Sequence, residues 1–253
     1  GQSIQRPRSR CQPNMRDWVD RHLDWLGGLL LPPRCVLCGS SGQAPCLDLC
    51  AGCAASFAAA DEPVLAGPDP LRRTCAPFAY ALPLDHLVHA LKYRGQLATA
   101  RVLGTLLAGW LAGRGLPHEV DVIVPVPLHP DRHAERGFNQ SAELAHQLGR
   151  SLHLSVAESL AIRRRATPPQ VGLHLDERRR NLAGAFGAGP VADLRVAIVD
   201  DVTTTGATLR ELACVLLQAG ACTVDAWCIA RTDRGRIHSS ARPEPTPSPG
   251  WMR

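Results

Sequence analysis

The chain has 253 residues, of which 45% are hydrophobic, and a formal net charge of +5 at pH 7. This length and composition allow a full hydrophobic core and exclude a wholly disordered protein. No stretch approaches the roughly 20 apolar residues of a membrane span, and the short apolar run 25–31 is followed by no signal cleavage site. We therefore predict a cytoplasmic protein without a membrane span.

The first 33 residues are predicted as a tail followed by a helix. Residues 1–14 are polar and basic without any periodicity. Over residues 15–31, apolar side chains recur at near-helical spacing. This pattern predicts an amphipathic helix that packs on the rest of the protein.

Two C-x-x-C motifs follow the predicted helix, with a polar, glycine-containing spacer between them. Two such motifs can arrange four thiolates tetrahedrally around one ion, which predicts a structural zinc ribbon over residues 34–57. In a reducing cytoplasm, zinc is favoured over disulfides. Cys46 lies in the spacer and is an alternative ligand. The predicted zinc ligands are Cys35, Cys38, Cys50 and Cys53.

The rest of the chain is predicted as a linker (58–73), a main domain (74–235) and a disordered tail (236–253). In the main domain, apolar runs alternate with periodic segments. This alternation favours an open, mostly parallel α/β sheet with flanking helices. The predicted strands lie at 77–81, 121–127, 196–199 and 223–230, and the predicted helices at 97–112, 141–152 and 209–217.

The clearest functional pattern follows the predicted strand 196–199. Asp200 and Asp201 come directly after it, and a loop of threonines closed by glycine leads into the next predicted helix. The N–H groups and dipole at a helix amino terminus favour an anion. Two acids would repel a bare phosphate, so they must face vicinal hydroxyls or a divalent ion on the same ligand.

This pattern predicts a ribose 5-phosphate site. The alternative, an ordinary threonine-rich turn, leaves two acids at a buried strand edge without a partner, which is costly. The predicted phosphate-binding residues are Val202, Thr203, Thr204, Thr205 and Gly206.

Basic side chains cluster in three further segments: a helix end at 91–95, a loop at 127–140 and an arginine-rich, proline-containing stretch at 163–181. Loops at the carboxyl ends of neighbouring parallel strands face one crevice, so we expect the second segment to reach a pyrophosphate. The third is predicted as a mobile flap that closes over the ligand. A solvated charged face is the alternative. The candidate pyrophosphate and flap residues are Lys92, Arg94, Arg132, Arg136, Arg165 and Arg178.

Together with the cysteine motifs, these segments resemble the ComF family, whose members are competence-associated, phosphoribosyltransferase-like proteins. The resemblance covers roughly residues 31–232. Its motifs occur in the family's order, namely L-K-Y-R-G, P-V-P-L, R-G-F-N-Q, T-P-P-Q, R-R-x-N-L and V-D-D-V-T-T-T-G. Cys46 in the ribbon spacer is a small departure from the family pattern.

The resemblance implies a zinc ribbon joined to a type I phosphoribosyltransferase-like fold, and a role in DNA uptake and natural transformation. It also implies that Asp200 and Asp201 hold the ribose hydroxyls of phosphoribosyl pyrophosphate (PRPP), with Mg²⁺ on the pyrophosphate. The acceptor is not defined by the family. Two functions remain open: a phosphoribosyltransferase, or a non-catalytic nucleic-acid-binding competence factor that senses PRPP or a nucleotide. Single-stranded DNA or a competence helicase is the expected partner.

Overall fold

The structure is a computed structural model that describes residues 33–44, 48–66, 70–165 and 184–232. The predicted helix 15–31, Cys46, residues 166–181 of the predicted flap and the predicted C-terminal tail lie outside these residues. Among the helices that the structure describes, none is long and apolar enough to cross a membrane.

Nine strands are described: β1 (Val64–Ala66), β2 (Arg73–Cys75), β3 (Phe78–Ala79), β4 (Val122–Pro125), β5 (Ser155–Val156), β6 (Ala161–Arg163), β7 (Phe186–Ala188), β8 (Arg195–Thr203) and β9 (Thr223–Arg231). Seven of them form one sheet in the order β1-β2-β9-β8-β4-β5, with β3 pairing further along β9. Every pair in this sheet is parallel except β1 with β2. The other two strands, β6 and β7, form a separate antiparallel pair.

Six helices are described: α1 (Ala51–Ala55), α2 (Leu84–Arg94), α3 (Leu97–Ala112), α4 (Pro130–Arg136), α5 (Gln140–Leu152) and α6 (Ala207–Gln218). Leucines of α2, α3 and α5 pack on one face of the sheet, in a core that includes Ile123, Val199 and Trp227. Leucines of α6 and residues of the β6–β7 pair pack on the other face, with Val124 and Ile198. Both faces are covered, as burial of a parallel sheet requires. The predicted open, mostly parallel sheet with flanking helices is confirmed.

The order of the strands reverses between β4 and β8. From β4 the chain crosses through α5 to β5 on one side, whereas from β8 it crosses through α6 to β9 on the other. Where the connections after two neighbouring parallel strands run to opposite sides of the sheet, a crevice is left at the carboxyl ends of these strands. The loops after Pro125 and after Thr203 therefore border the same crevice.

The structure differs from the sequence prediction in its shorter elements. Residues 64–66 of the predicted linker form β1 on the sheet edge, and residues 130–136 of the predicted basic loop form α4. His129 caps α4 by accepting from the Asp131 N–H, and Pro130 occupies the first turn, where its missing N–H costs nothing. Strand β8 is longer than predicted, because pairing with β9 continues past Asp200 to Val202 and Thr203.

The cysteine ribbon packs directly on the main domain. Cys35, Leu49 and Phe57 belong to the same buried core as the leucines of α2 and α3. The ring of Phe57 meets that of Phe78 edge-on at 5.7 Å. At the surface, Arg101 of α3 pairs with Asp48 of the ribbon at 2.6 Å. The ribbon and the sheet therefore share apolar contacts.

Candidate ribose-phosphate site and cysteine cluster

Asp200 and Asp201, here called the acid pair, lie on the last paired part of β8. Their partners on β9 include Cys228 opposite Asp200, so the backbone is held by the sheet. Asp201 bonds with Lys92 of α2, whereas Asp200 bonds with Ser141 of α5. The two carboxylates are therefore held at a fixed position by paired backbone and meet different neighbours.

Asp201 meets the only lysine of the chain. The ammonium nitrogen of Lys92 lies 2.8 Å from Asp201 Oδ2, with the Lys92 side chain 25% exposed and that of Asp201 4% exposed. Burial alone lowers the pKa of Lys92, but the charge and hydrogen bond of Asp201 outweigh it and raise the pKa above its ordinary value. The other oxygen of Asp201 accepts from the Val202 N–H at 2.7 Å. Lys92 thus supplies a counter-charge to one member of the acid pair.

Asp200 meets α5 instead. The hydroxyl of Ser141 donates to Asp200 Oδ1 at 2.8 Å, and the Asp201 N–H donates to the same oxygen at 2.9 Å. Burial and the neighbouring charge of Asp201 raise the pKa of Asp200 from 3.8 to about 7, despite the opposing effect of Ser141 and Lys92. Asp200 is therefore the carboxyl group at this site whose protonation changes near neutral pH.

This raised pKa predicts a pH-dependent stability difference. The folded state binds the Asp200 proton more tightly than the unfolded state. Protonation of Asp200 therefore contributes fully to the free energy of unfolding below pH 4, and this contribution is lost as the pH rises to about 7. The Asp200→Asn variant has no carboxyl group to ionise, so it does not lose this stability at higher pH, and its amide oxygen still accepts the hydrogen bond from the Ser141 hydroxyl. We expect the melting temperature of Asp200→Asn, relative to the unmodified protein, to rise between pH 5 and pH 8. A difference that stays constant over this range contradicts the raised pKa.

The loop after the acid pair, Thr203–Gly206, is here called the hydroxyl loop. Gly206 has φ of 71°, in the left-handed region, and caps the amino terminus of α6. The Thr205 hydroxyl accepts from the Ala207 N–H at 3.4 Å, and the Thr203 carbonyl accepts from Thr232. The first turn of a helix has N–H groups without helical partners, and its dipole favours an anion. The predicted phosphate-binding residues thus lie where the fold provides these donors.

The structure brings three of the predicted basic residues to one cleft of about 650 Å³. Arg132 and Arg136 reach it from α4, and Lys92 connects it to the acid pair. Arg136 also donates to Gln140 Oε1 at 3.1 Å. Arg94 ends α2, but its side chain lies outside the description, and so does all of Arg178. Arg165 follows β6 and is exposed.

Arg163 is a candidate site residue that sequence analysis did not single out. It ends β6 with its guanidinium 5.4 Å from the centre of the Phe186 ring. Burial and the charge of Arg132 lower the pKa of Arg163, and Asp200 partly offsets them. Two arginines whose positive charges act on each other near Asp200 attract a polyanion. In the sequence, Arg163 is only one of three consecutive arginines, and nothing there distinguishes it.

The four cysteines of the ribbon come together. One sulfur from each of Cys35, Cys38, Cys50 and Cys53 lies within 4.8 Å of the others. The sulfurs of Cys38 and Cys50 are 3.6 Å apart. Tetrahedral zinc with Zn–S bonds of about 2.3 Å requires sulfurs roughly 3.8 Å apart, so the cluster fits zinc.

Within the cluster, the pKa of Cys38 at the exposed edge is lowered, whereas burial and the neighbouring thiols raise the pKa of Cys53. Hydrogen bonds from Ser40, followed by those from Cys35 and Cys53, lower the pKa of Cys38 to about 6. Metal ligands must be deprotonated, so a thiol that ionises readily assists binding. The neighbouring N–H of Cys53 donates to the sulfur of Cys50 at 3.4 Å, which orients a second ligand.

The chain is similar to several known proteins, although no protein-family model matches it. DNA utilization protein YhgH of Escherichia coli O157:H7 is 43% identical over 172 residues, which cover 65% of this chain and 74% of the relative. YhgH of Salmonella typhimurium is 41% identical over 205 residues, covering 78% and 84%. Competence protein F of Haemophilus influenzae is 32% identical over 206 residues, covering 79% and 85%.

Solved structures that resemble the chain include two proteins of phosphoribosyl chemistry. A purine phosphoribosyltransferase from Pyrococcus horikoshii aligns with a TM-score of 0.31 and 21% identity, covering 51% of this chain and 69% of that one. Glutamine PRPP amidotransferase from B. subtilis aligns with a TM-score of 0.35 and 22% identity, covering 51% and 26%.

Proposed function

Because the chain belongs to the ComF family, whose relatives are named for DNA utilization and competence, we propose that it acts in DNA utilization by binding PRPP with Mg²⁺. One observation carries the PRPP proposal. The acid pair is followed along the chain by the hydroxyl loop, and both lie at the carboxyl end of β8, where the strand order reverses. A phosphorylated ribose, with its phosphate and vicinal hydroxyls, would use both parts at once.

Each part of PRPP has a matching group in this crevice. The acid pair accepts hydrogen bonds from the two ribose hydroxyls, and the N–H groups of the hydroxyl loop and α6 hold the 5-phosphate. Arg132 and Arg163 supply positive charge for the pyrophosphate. Mg²⁺ prefers oxygen ligands and arrives with substrate phosphates, whose charge it neutralises. The site thus holds one anion at each end of the sugar.

The proposed reaction is the transfer of the phosphoribosyl group. The bond between ribose C1 and the pyrophosphate oxygen breaks, and pyrophosphate leaves with the electron pair. The acceptor forms a new bond to C1 and loses its proton. The residues of the crevice orient the sugar and exclude water, which would otherwise hydrolyse it.

Calorimetry with PRPP and Mg²⁺ tests the binding proposal. We expect the Asp200→Asn/Asp201→Asn variant to bind PRPP at least roughly tenfold more weakly, because each hydrogen bond to a charged group contributes about 1.5–3 kcal/mol. Asp61→Asn, an exposed aspartate outside the site, is the matched control. Asp200→Asn alone serves if the double variant does not fold. Unchanged PRPP affinity in a folded acid-pair variant contradicts the assignment.

A pyrophosphate assay separates transfer from sensing. Release of pyrophosphate in the presence of an acceptor supports the transferase. Binding of PRPP without release supports the alternative, a nucleic-acid-binding factor that senses PRPP. Under this second function, Arg132 and Arg136 of α4 would contact the strand, and its DNA affinity should then fall steeply with salt.

A further inference from the structure

The R-G-F-N-Q motif, residues 136–140, contains an asparagine that the proposed site does not use. Asn139 caps α5, because its side-chain oxygen accepts from the Ser141 N–H at 3.0 Å. Its amide nitrogen donates to the Val126 carbonyl at 3.1 Å, in the loop after β4. A cap needs only the oxygen. The second hydrogen bond ties the first turn of α5 to that loop.

The hydrogen bonds of Asn139 belong to a closed ring that begins and ends on β8. The Val126 N–H donates to the Val199 carbonyl at 2.9 Å, and the Ser141 hydroxyl donates to Asp200 Oδ1 at 2.8 Å. Val199 and Asp200 are consecutive residues of β8, so the ring closes on one strand. Ser141 is only 1% exposed, so water does not compete for its hydroxyl.

This ring determines which oxygen of Asp200 can meet a ligand. Two hydrogen bonds from described residues reach this carboxylate, one from the Ser141 hydroxyl and one from the Asp201 N–H, and both end on Oδ1. Two donors on one oxygen restrict rotation of the carboxylate. An ionised carboxylate accepts on both of its oxygens, so Oδ2 is left for a hydroxyl of the sugar.

We propose that Ser141 and Asn139 are positioning residues for the ribose site, and that they hold the Asp200 carboxylate so that its Oδ2 accepts from a ribose hydroxyl. The proposal rests on the proposed function, because it assigns them a role in the binding of PRPP. Both residues act through Asp200 and do not touch the ligand. A carboxylate that is already oriented loses little freedom when the sugar binds, which strengthens binding.

The Ser141 hydroxyl also affects the charge of Asp200. It can only donate to an ionised carboxylate, and this hydrogen bond lowers the pKa of Asp200 against the larger raising effects of burial and of Asp201. Loss of the hydroxyl should therefore raise the pKa of Asp200 above about 7. Other titratable groups that face Asp200 in the described part of the chain are Lys92 of α2, Arg163 of β6 and Cys228 of β9.

Calorimetry with PRPP and Mg²⁺ at pH 7 and pH 8.5 tests the positioning role. We expect Ser141→Ala to bind PRPP roughly fivefold more weakly at pH 7, which is the contribution of about one hydrogen bond. The loss should be smaller at pH 8.5, where Asp200 is ionised in both proteins. A merely structural role for Ser141 predicts the same loss at both pH values. Ser151→Ala, which removes an exposed hydroxyl at the other end of α5, is the matched control and should bind normally.

A second background shows whether Ser141 acts through Asp200. Asp200→Ala has no carboxylate to orient, so Ser141→Ala/Asp200→Ala should bind PRPP as Asp200→Ala does. Equal losses in the two backgrounds overturn the proposal, and so does unchanged affinity in Ser141→Ala. If Ser141→Ala does not fold, Asn139→Ser replaces it in the test. That variant keeps a capping oxygen but lacks the amide that reaches Val126, so it should also weaken PRPP binding.

A measurement without ligand separates this proposal from the proposed function. Carbon NMR of the Asp200 carboxyl group, followed against pH in the free protein, should give a higher pKa in Ser141→Ala than in the unmodified protein. An unchanged pKa of Asp200 refutes the positioning role of Ser141, whether or not PRPP binds. Absence of PRPP binding by the unmodified protein refutes the proposed function, and the role of Ser141 in ribose binding with it.

Discussion

Cys38→Ser is expected to lose the zinc of the ribbon and to lower the stability of the whole chain. Loss of a structural metal is among the changes that cost about 4 kcal/mol or more. For a protein of this size that corresponds to a fall in melting temperature of roughly 10 °C. Zinc content by elemental analysis and a thermal melt measure the two effects together.

The effect should extend beyond the ribbon because of its packing. Cys35, Leu49 and Phe57 belong to the core that also contains α2 and α3. The Ala79 N–H donates to the Ala58 carbonyl, so the chain leaving the ribbon is also bonded to β3. We therefore expect one cooperative transition at lower temperature, rather than a separate melting of the ribbon.

Cys222→Ser is the matched control, because Cys222 is an exposed free cysteine remote from the cluster in sequence. It should keep its zinc and its melting temperature. Full zinc in Cys38→Ser contradicts the ligand assignment, and Cys38→Ser/Cys46→Ser then asks whether Cys46 replaces the missing sulfur. Absence of zinc from the unmodified protein refutes the ribbon hypothesis.

Asp201→Asn is expected to destabilise the fold by about 1–3 kcal/mol, without the relative gain between pH 5 and pH 8 that is expected of Asp200→Asn. The cause is Lys92, which is only 25% exposed and loses the carboxylate that balances its charge. Urea unfolding measures the difference. If Asp200→Asn and Asp201→Asn change the free energy of unfolding in the same way, the two acids do not have separate roles.

Lys92→Met isolates the interaction itself. If Asp201 and Lys92 stabilise each other, the double variant Lys92→Met/Asp201→Asn loses much less free energy of unfolding than the two single variants lose in sum. Lys92→Met alone should also raise the proportion of protonated acid pair, since it removes a neighbouring cation. PRPP affinity in Lys92→Met should then fall more at pH 6 than at pH 8, whereas a purely structural role for Lys92 predicts the same loss at both.

The elements that could be predicted are those with a strong local signal. The apolar run ending in the acid pair defines β8, and the periodic segment after Gly206 defines α6. Their junction is enough to locate the hydroxyl loop. The C-x-x-C spacing likewise predicts the cysteine cluster without any knowledge of the fold.

The partners of the acid pair could not be predicted, because they are distant in sequence. Ser141 and Lys92 reach the site from α5 and α2, and no local pattern links either to β8. Strands as short as β5 and β6 show no periodicity and form through pairing alone. Helix α4 did have a signal, since His129 and Pro130 are a cap and a first-turn proline.

The position of β9 determines when the protein can fold during synthesis. This strand is the last that the structure describes, yet it lies between β8 on one side and β2 and β3 on the other. Until residues 223–231 leave the ribosome, three strands lack their neighbour, and unpaired strand edges tend to associate with other chains. The cysteine cluster spans only residues 35–53, so it can bind zinc while the rest is still being made. Zinc would then bind to the chain during its synthesis, before the crevice that binds the ligand has formed.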